Sequence, residues 1–306
     1  MLKKIINSIK NRTFFKSIKI RLRIVFRIKN RNVYSDYLKC QEYRKLEKKY
    51  SKIIKDGVNE NLERFKSNKI WICWLQGIEY APEIVRACVN SVKINLHDKE
   101  IIILDKSNIK KYIELPEYIE RKWKKGIIPN AQYTDILRTA LLCKYGGGWI
   151  DATVLCTASN LPDYIEKSKL FVYSQMDLYG NKKDITPILI SNWMIFSESN
   201  NPILLLTLTL LYSYWKDYKK LTNYFIYHLF FSMSCRRYSN IWRQVPVFNN
   251  HSPHTLQYEI LNRYSDNRWK QIIEMSDFHK LNRRIIDNND NKSFYNYIIN
   301  KYLNLK

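Results

Sequence analysis

Tyr145-Gly146-Gly147-Gly148-Trp149-Ile150-Asp151-Ala152-Thr153 is the stretch on which the reading of this 306-residue chain turns. Three of the chain's seven glycines stand here in a row. Glycine adopts the left-handed backbone that ends a helix without steric cost. The apolar pair that follows begins a strand, so Asp151 falls at a strand end, where open α/β sheets bind ligands. Upstream, Asp135 and Arg138 are three residues apart on a predicted helix and share a face. Each feature has an ordinary structural explanation by itself, an intrahelical ion pair for Asp135–Arg138 and a turn cap for Asp151. Taken together, two acids and an arginine around a glycine hinge point to a site for a metal and a phosphate-bearing substrate.

Working outward, Lys69–Leu75 is a β-type run that ends at Gln76-Gly77, and Glu100–Asp105 is a second buried strand. Pro82 opens a helix to about Asn95, as proline does at a first helical position. Asn130 is positioned to cap a helix over roughly 131–145 that the glycines end. Residues 170–174 and 192–197 read as further strands. Strands alternating with helices predict an α/β sheet, largely parallel, with helices on both faces. From Pro202 onward the chain reads as mostly helical. The expected organisation is an arm and connector over 1–66, a ligand-binding domain over 67–200, and a mostly helical region over 201–306 packed on the same domain.

The formal charge is +24, from 52 Lys+Arg against 28 Asp+Glu, which implies an anionic partner. Residues 1–31 contain eleven Lys/Arg and no acid. Leu2, Ile5, Ile6 and Ile9 form one helical stripe, and Phe14, Phe15, Ile18, Leu22, Val25 and Phe26 form another. This is the pattern of a basic amphipathic helix lying on an anionic membrane surface, or of a helix packed on its own domain with a solvated basic face. The longest uncharged run, Ser199 to Trp215, falls short of a membrane span and reads as a buried helix. The six cysteines form no C-x-x-C pair, and several lie inside apolar runs, as small hydrophobes do in a reducing, cytoplasmic compartment.

Lys69–Gly77, Ala81-Pro82-Glu83, Ile102–Asp105, Tyr133–Arg138, Gly146–Thr153, Asp217–His228 and His279-Lys280-Leu281 occur in one order. With the D-x-x-R and G-G-x-W-x-D elements as the specific part, the chain resembles the capsular polysaccharide synthesis proteins, bacterial glycosyltransferases akin to a mannosyl- and galactosyltransferase group with a DxD sugar-binding region. The resemblance implies a GT-A-like (Rossmann-like) fold that binds a UDP- or GDP-sugar, with Mn²⁺ or Mg²⁺ bridging the donor diphosphate. It assigns Asp151 to the first DxD acid, as metal or ribose ligand, and Asp135 and Arg138 to the pair that contacts donor sugar and phosphates. Trp74 matches an aromatic that stacks on the base, and Gly77, Gly147 and Thr153 complete the expected donor-binding set.

Thr153 replaces the second DxD acid, giving D-A-T, so metal binding is expected to be weaker, to use water, or to recruit His228 or His279. The implied partners are the nucleotide-sugar, a polyprenyl-diphosphate-linked oligosaccharide and an anionic membrane surface. The implied place is the inner face of the bacterial cell membrane, with the protein bound peripherally and the anomeric configuration retained. A nucleic-acid-binding protein is the competing class, favoured by charge and 23 tyrosines. No RRM, KH or zinc signature supports it, and the basic density peaks in the amphipathic arm. A toxin-like transferase acting on a host protein shares the D-x-x-R…D frame.

Overall fold

The computed structural model describes residues 31–174, 187–285 and 292–304. The two apolar stripes of the basic arm lie outside the described residues. The chain divides into two units, Met1–Lys49 and Tyr50–Lys306. In the first, Arg31–Lys49 forms helix α1.

The second unit begins with the short helix α2 (Ser51–Asp56), followed by strand β1 (Lys69–Cys73). Helix α3 (Glu83–Asn95) leads to β2 (Glu100–Leu104), then α4 (Glu117–Lys124), α5 (Asn130–Tyr145) and β3 (Gly147–Ile150). Strand β4 (Val154–Cys156), the single turn α6 (Asp163–Glu166), and strands β5 (Leu170–Ser174) and β6 (Ile190–Ser197) come next. The remainder is α7 (Pro202–Asp217), α8 (Ile226–Arg237), α9 (Ser239–Trp242), α10 (Thr255–Glu259), α11 (Asp266–Met275), β7 (Phe278–Lys280) and α12 (Phe294–Tyr302). No helix among the described residues is long and apolar enough to cross a membrane.

Five strands form one sheet in the order β2-β1-β3-β6-β5. Strand β1 runs parallel to β2 and β3, whereas β6 is antiparallel to both β3 and β5. The sheet is therefore mixed, not largely parallel. The apolar runs of β5 and β6 reveal burial, which is blind to strand direction. Helical crossovers separate β1, β2 and β3, as parallel pairing requires.

Two helix starts also differ from expectation. Pro82 and Pro129 occupy the N-cap positions of α3 and α5 in extended conformation, and Asn130 is the first residue of α5. The Asn130 side chain is taken up elsewhere, its Oδ1 accepting from Trp123 Nε1 at 2.9 Å. Pre-proline geometry stops the chain from being helical any earlier. The expected buried helix after Ser199 is α7, capped by Asn201, whose side chain accepts from the Ile203 amide.

Helix α5 has buried residues on every side, from Gln132 to Cys143, because it lies inside the unit. Gly146 ends it, and Gly147 then passes against the β1 backbone with φ 85°. A Cβ at Gly147 would stand 2.2 Å from the Lys69 carbonyl oxygen, so only glycine fits. This close approach threads β3 between β1 and β6.

After Asp151 the chain turns, the Val154 amide donating to the Asp151 carbonyl at 3.0 Å, and enters β4. Strand β4 pairs antiparallel with β7, which comes from far along the chain, in the register Val154↔Lys280, Leu155↔His279, Cys156↔Phe278. This two-stranded ladder interrupts the mostly helical C-terminal region at the place that matters for the site.

Candidate active site

Strands β1 and β3 run parallel, so their C-terminal ends open on one side of the sheet, which is where α/β sheets take ligands. A cleft of about 680 Å³ lies there. Residues 73–76 after β1, Asn130, Ala131 and Thr134 of α5, Trp149, residues 151–153, Tyr224, Gln257 and residues 280–284 form its lining.

Asp151 is the centre of a fixed charge network. Its Oδ1 accepts from Arg138 Nη2 at 2.9 Å and from Trp149 Nε1 at 2.9 Å. Its Oδ2 accepts from Lys280 Nζ at 2.8 Å, and the same ammonium donates to Thr153 Oγ1 at 2.6 Å. Beneath Asp151, Arg138 Nη1 donates to Asp135 Oδ1 at 3.0 Å, and Asn192 Nδ2 donates to the same oxygen at 2.8 Å. The Arg138 guanidinium lies 4.8 Å from the Trp149 ring and 5.9 Å from the Tyr227 ring. Side-chain exposure grades outward, from 5% for Arg138 and 9% for Asp135 to 27% for Asp151.

The protonation of the two acids follows from this layering. Burial lifts the Asp135 carboxyl to about 6, against the opposing pull of Arg138. Burial also pushes Asp151 upward, but Lys280 and Arg138 outweigh it and hold the carboxyl below the ordinary carboxylate range. Asp151 is thus a firmly ionised acid on the cleft wall, and Asp135–Arg138 is the buried pair that fixes it.

Residues 21–298 match the model of the capsular polysaccharide synthesis protein family. The chain belongs to this family. No curated protein matches it in sequence. Among solved structures it is similar to the PaToxG glycosyltransferase, at 16% identity and a TM-score of 0.40, over 68% of this chain and 83% of that one.

In this capsular polysaccharide synthesis protein the expected site residues separate into two groups. Trp74, Asp151 and Thr153 line the cleft. Asp135 and Arg138 sit behind its wall, joined to Asp151 through the guanidinium. Gly77 and Gly147 do not line it. Gly77, with φ 92°, donates its amide to the Trp74 carbonyl at 2.9 Å and closes the turn that presents Trp74. Gly147 lies at the opposite end of β3 from Asp151.

Neither histidine reaches the carboxylate. His228 stands on α8 with its ring 5.5 Å from that of Phe225. His279 is fully buried, its Nε2 3.0 Å from Thr157 Oγ1, and burial lowers it to about 3, so it is neutral. On a strand, neighbours point to opposite faces. Lys280 therefore meets Asp151 while His279 turns into the core.

Among the described residues the donor set does not fit a divalent cation. Such an ion needs several free oxygen ligands. Both oxygens of Asp151 and the hydroxyl of Thr153 already accept from cationic or N–H groups. Among the described residues no three His, Cys, Asp or Glu side chains gather to hold a metal.

The sequence reading missed Lys280, Arg283, Arg284 and Asn192. The run His279-Lys280-Leu281-Asn282-Arg283-Arg284 carried a signal, three cations within five residues of a buried strand. Asn192, a polar residue in the middle of an apolar strand, carried another.

Proposed function

We propose that this capsular polysaccharide synthesis protein is a glycosyltransferase with a GT-A-like fold, moving a sugar from a UDP- or GDP-sugar to an oligosaccharide acceptor. One observation carries the reading: an aromatic face, an ionised carboxylate and three cations meet in a single open cleft at the strand ends. A nucleoside diphosphate sugar has matching parts. Its base stacks on an aromatic such as Trp74, over which the Arg283 guanidinium lies at 5.9 Å. Its diphosphate answers to Lys280, Arg283 and Arg284. Its ribose or sugar hydroxyls can donate to Asp151. Negative charge grows on the diphosphate as the glycosidic bond breaks, and fixed cations lower the barrier by stabilising it.

The acceptor in this proposal is an oligosaccharide on a polyprenyl diphosphate, reached at the inner face of the cell membrane. The eleven Lys/Arg of residues 1–31, unopposed by any acid, support it. Each basic residue near an anionic surface adds about 1 kcal/mol. Retention of the anomeric configuration belongs to the proposal through the family resemblance.

The test is a hydrolysis screen of the purified protein against UDP- and GDP-sugars, paired with melting curves in UDP, GDP, DNA and RNA. Slow release of one nucleotide and a rise in melting temperature with it are expected. A rise with nucleic acid and none with any nucleotide would overturn the reading. For the membrane part, binding to anionic liposomes should weaken in high salt without vanishing, because charge is screened and apolar burial is not. Deleting residues 1–31 should abolish that binding and spare transfer to a soluble acceptor. Unchanged liposome binding after the deletion would return the arm to a packing role.

A further inference from the structure

We propose that Lys280 takes the place of the divalent cation, so that donor cleavage proceeds without metal; this rests on the glycosyltransferase reading above. A D-x-D pair holds a doubly charged ion between two carboxylates. Here Thr153 stands for the second carboxylate, and the Lys280 ammonium bridges the two positions, 2.8 Å from Asp151 Oδ2 and 2.6 Å from Thr153 Oγ1. The local charge balances in both arrangements. Two acids with a dication sum to zero, and so do one acid and one ammonium. Replacing an acid by threonine at 153 removes one negative charge, and the ion replacing the metal carries one positive charge fewer.

The ammonium is held in place by backbone as well as charge. Lys280 faces Val154 in the β4–β7 ladder, and the Leu281 amide donates to the Thr153 carbonyl at 2.9 Å. A dication bound about 2.1 Å from Asp151 Oδ2 would stand within contact distance of Nζ and be repelled by it. An ammonium has three N–H donors. Asp151 and Thr153 take two, which leaves one for a diphosphate oxygen in the cleft that Lys280 lines. Arg283 and Arg284 line the same cleft and extend the positive surface along the diphosphate.

The chemistry balances without a co-reactant. The donor's C1–O bond breaks, and its electron pair stays on the diphosphate oxygen. Lys280 donates a hydrogen bond to the diphosphate and keeps its proton. The acceptor hydroxyl oxygen bonds to C1, and its proton passes to the released diphosphate.

Three measurements on the full-length protein test this. The first follows nucleotide release from the donor found in the screen, with EDTA and with added Mn²⁺ or Mg²⁺. Rates within about twofold of one another are expected. The second records Mn²⁺ binding by electron paramagnetic resonance. Wild type should leave millimolar Mn²⁺ free, whereas the double variant Thr153→Asp/Lys280→Ala should bind it and become metal-dependent. The third compares Lys280→Ala with Lys280→Arg. Alanine should lower release by about 100-fold and cancel the melting-temperature rise given by UDP or GDP, while arginine restores part of both. Transfer or nucleotide binding that needs metal in the wild type, or tight Mn²⁺ binding by it, overturns the inference and leaves the glycosyltransferase reading standing. Absence of nucleotide binding under every condition overturns both.

Discussion

Changing Asp135 to asparagine should stabilise the fold while weakening transfer. Burial, opposed by Arg138 and reinforced by Asp151, lifts the Asp135 carboxyl from 3.8 to about 6. An acid raised in the fold is held there more easily when protonated. Its contribution to stability is greatest below pH 4, falls as pH rises from 4 to 6, and is flat above. At about 1.4 kcal/mol for each pH unit, keeping it ionised at pH 8 costs roughly 3 kcal/mol relative to the unfolded chain. Asparagine removes that cost and keeps an oxygen able to accept from both Arg138 Nη1 and Asn192 Nδ2, as Oδ1 now does. The new amide N–H group lacks a made-to-measure partner, which takes back about 1 kcal/mol. The net gain at pH 8 is therefore about 2 kcal/mol, and it falls through zero to a loss of about 0.5 kcal/mol at pH 4. Urea unfolding of both proteins at the two pH values measures it. Transfer should fall because Arg138, which holds Asp151 in place, loses one of its two anionic partners. A mutant less stable than wild type at pH 8 by about 1 kcal/mol or more would show that the ion pair outweighs burial, and would refute the layering.

Other outcomes follow from the same geometry. Asp151→Asn should cut nucleotide release by about 10²–10³, since both Arg138 and Lys280 lose the charge that orients them; near-normal release would remove Asp151 from the site. His279, lowered by burial to about 3, favours the neutral ring, so its contribution is complete above pH 6.5 and is lost at about 1.4 kcal/mol per pH unit as pH falls towards 3. Wild type should therefore lose more stability on acidification than His279→Gln does, which unfolding curves at pH 7 and pH 5 can check. Gly147→Ala should cost more than about 2 kcal/mol, from the left-handed backbone and the clash with the Lys69 carbonyl; a smaller drop in unfolding free energy would mean β3 can shift away from β1.

What was legible in the sequence was burial and punctuation. The apolar runs of β1, β2 and β6 announced themselves, and Pro82, Asn130 and Gly146 marked helix ends to within a residue. Asp151 was recognisable because a carboxylate after a buried strand has few places to go. Strand direction was hidden, because Phe171-Val172-Tyr173 reads as equally apolar whichever way it runs. The β4–β7 ladder was hidden for another reason: three residues per strand show no periodicity, and pairing across more than a hundred residues leaves no local trace. With it went Lys280, quoted in a motif but without a role. The glycines misled in the opposite sense. Gly147 was expected in the donor-binding set, yet it serves the approach of β3 to Lys69.

The Lys280–Asp151 contact joins residues 129 positions apart, and it has a consequence for how the molecule comes into being. Long loops close slowly, and contacts of large sequence separation form late. During synthesis the main sheet can assemble while residues 278–281 are still inside the ribosome, so Asp151 waits with only Arg138 and Trp149 for company. The cleft's positive side, Lys280, Arg283 and Arg284, is therefore expected to be among the last parts to form. The proposed donor cleft would then be complete only after residues 280–284 have joined it.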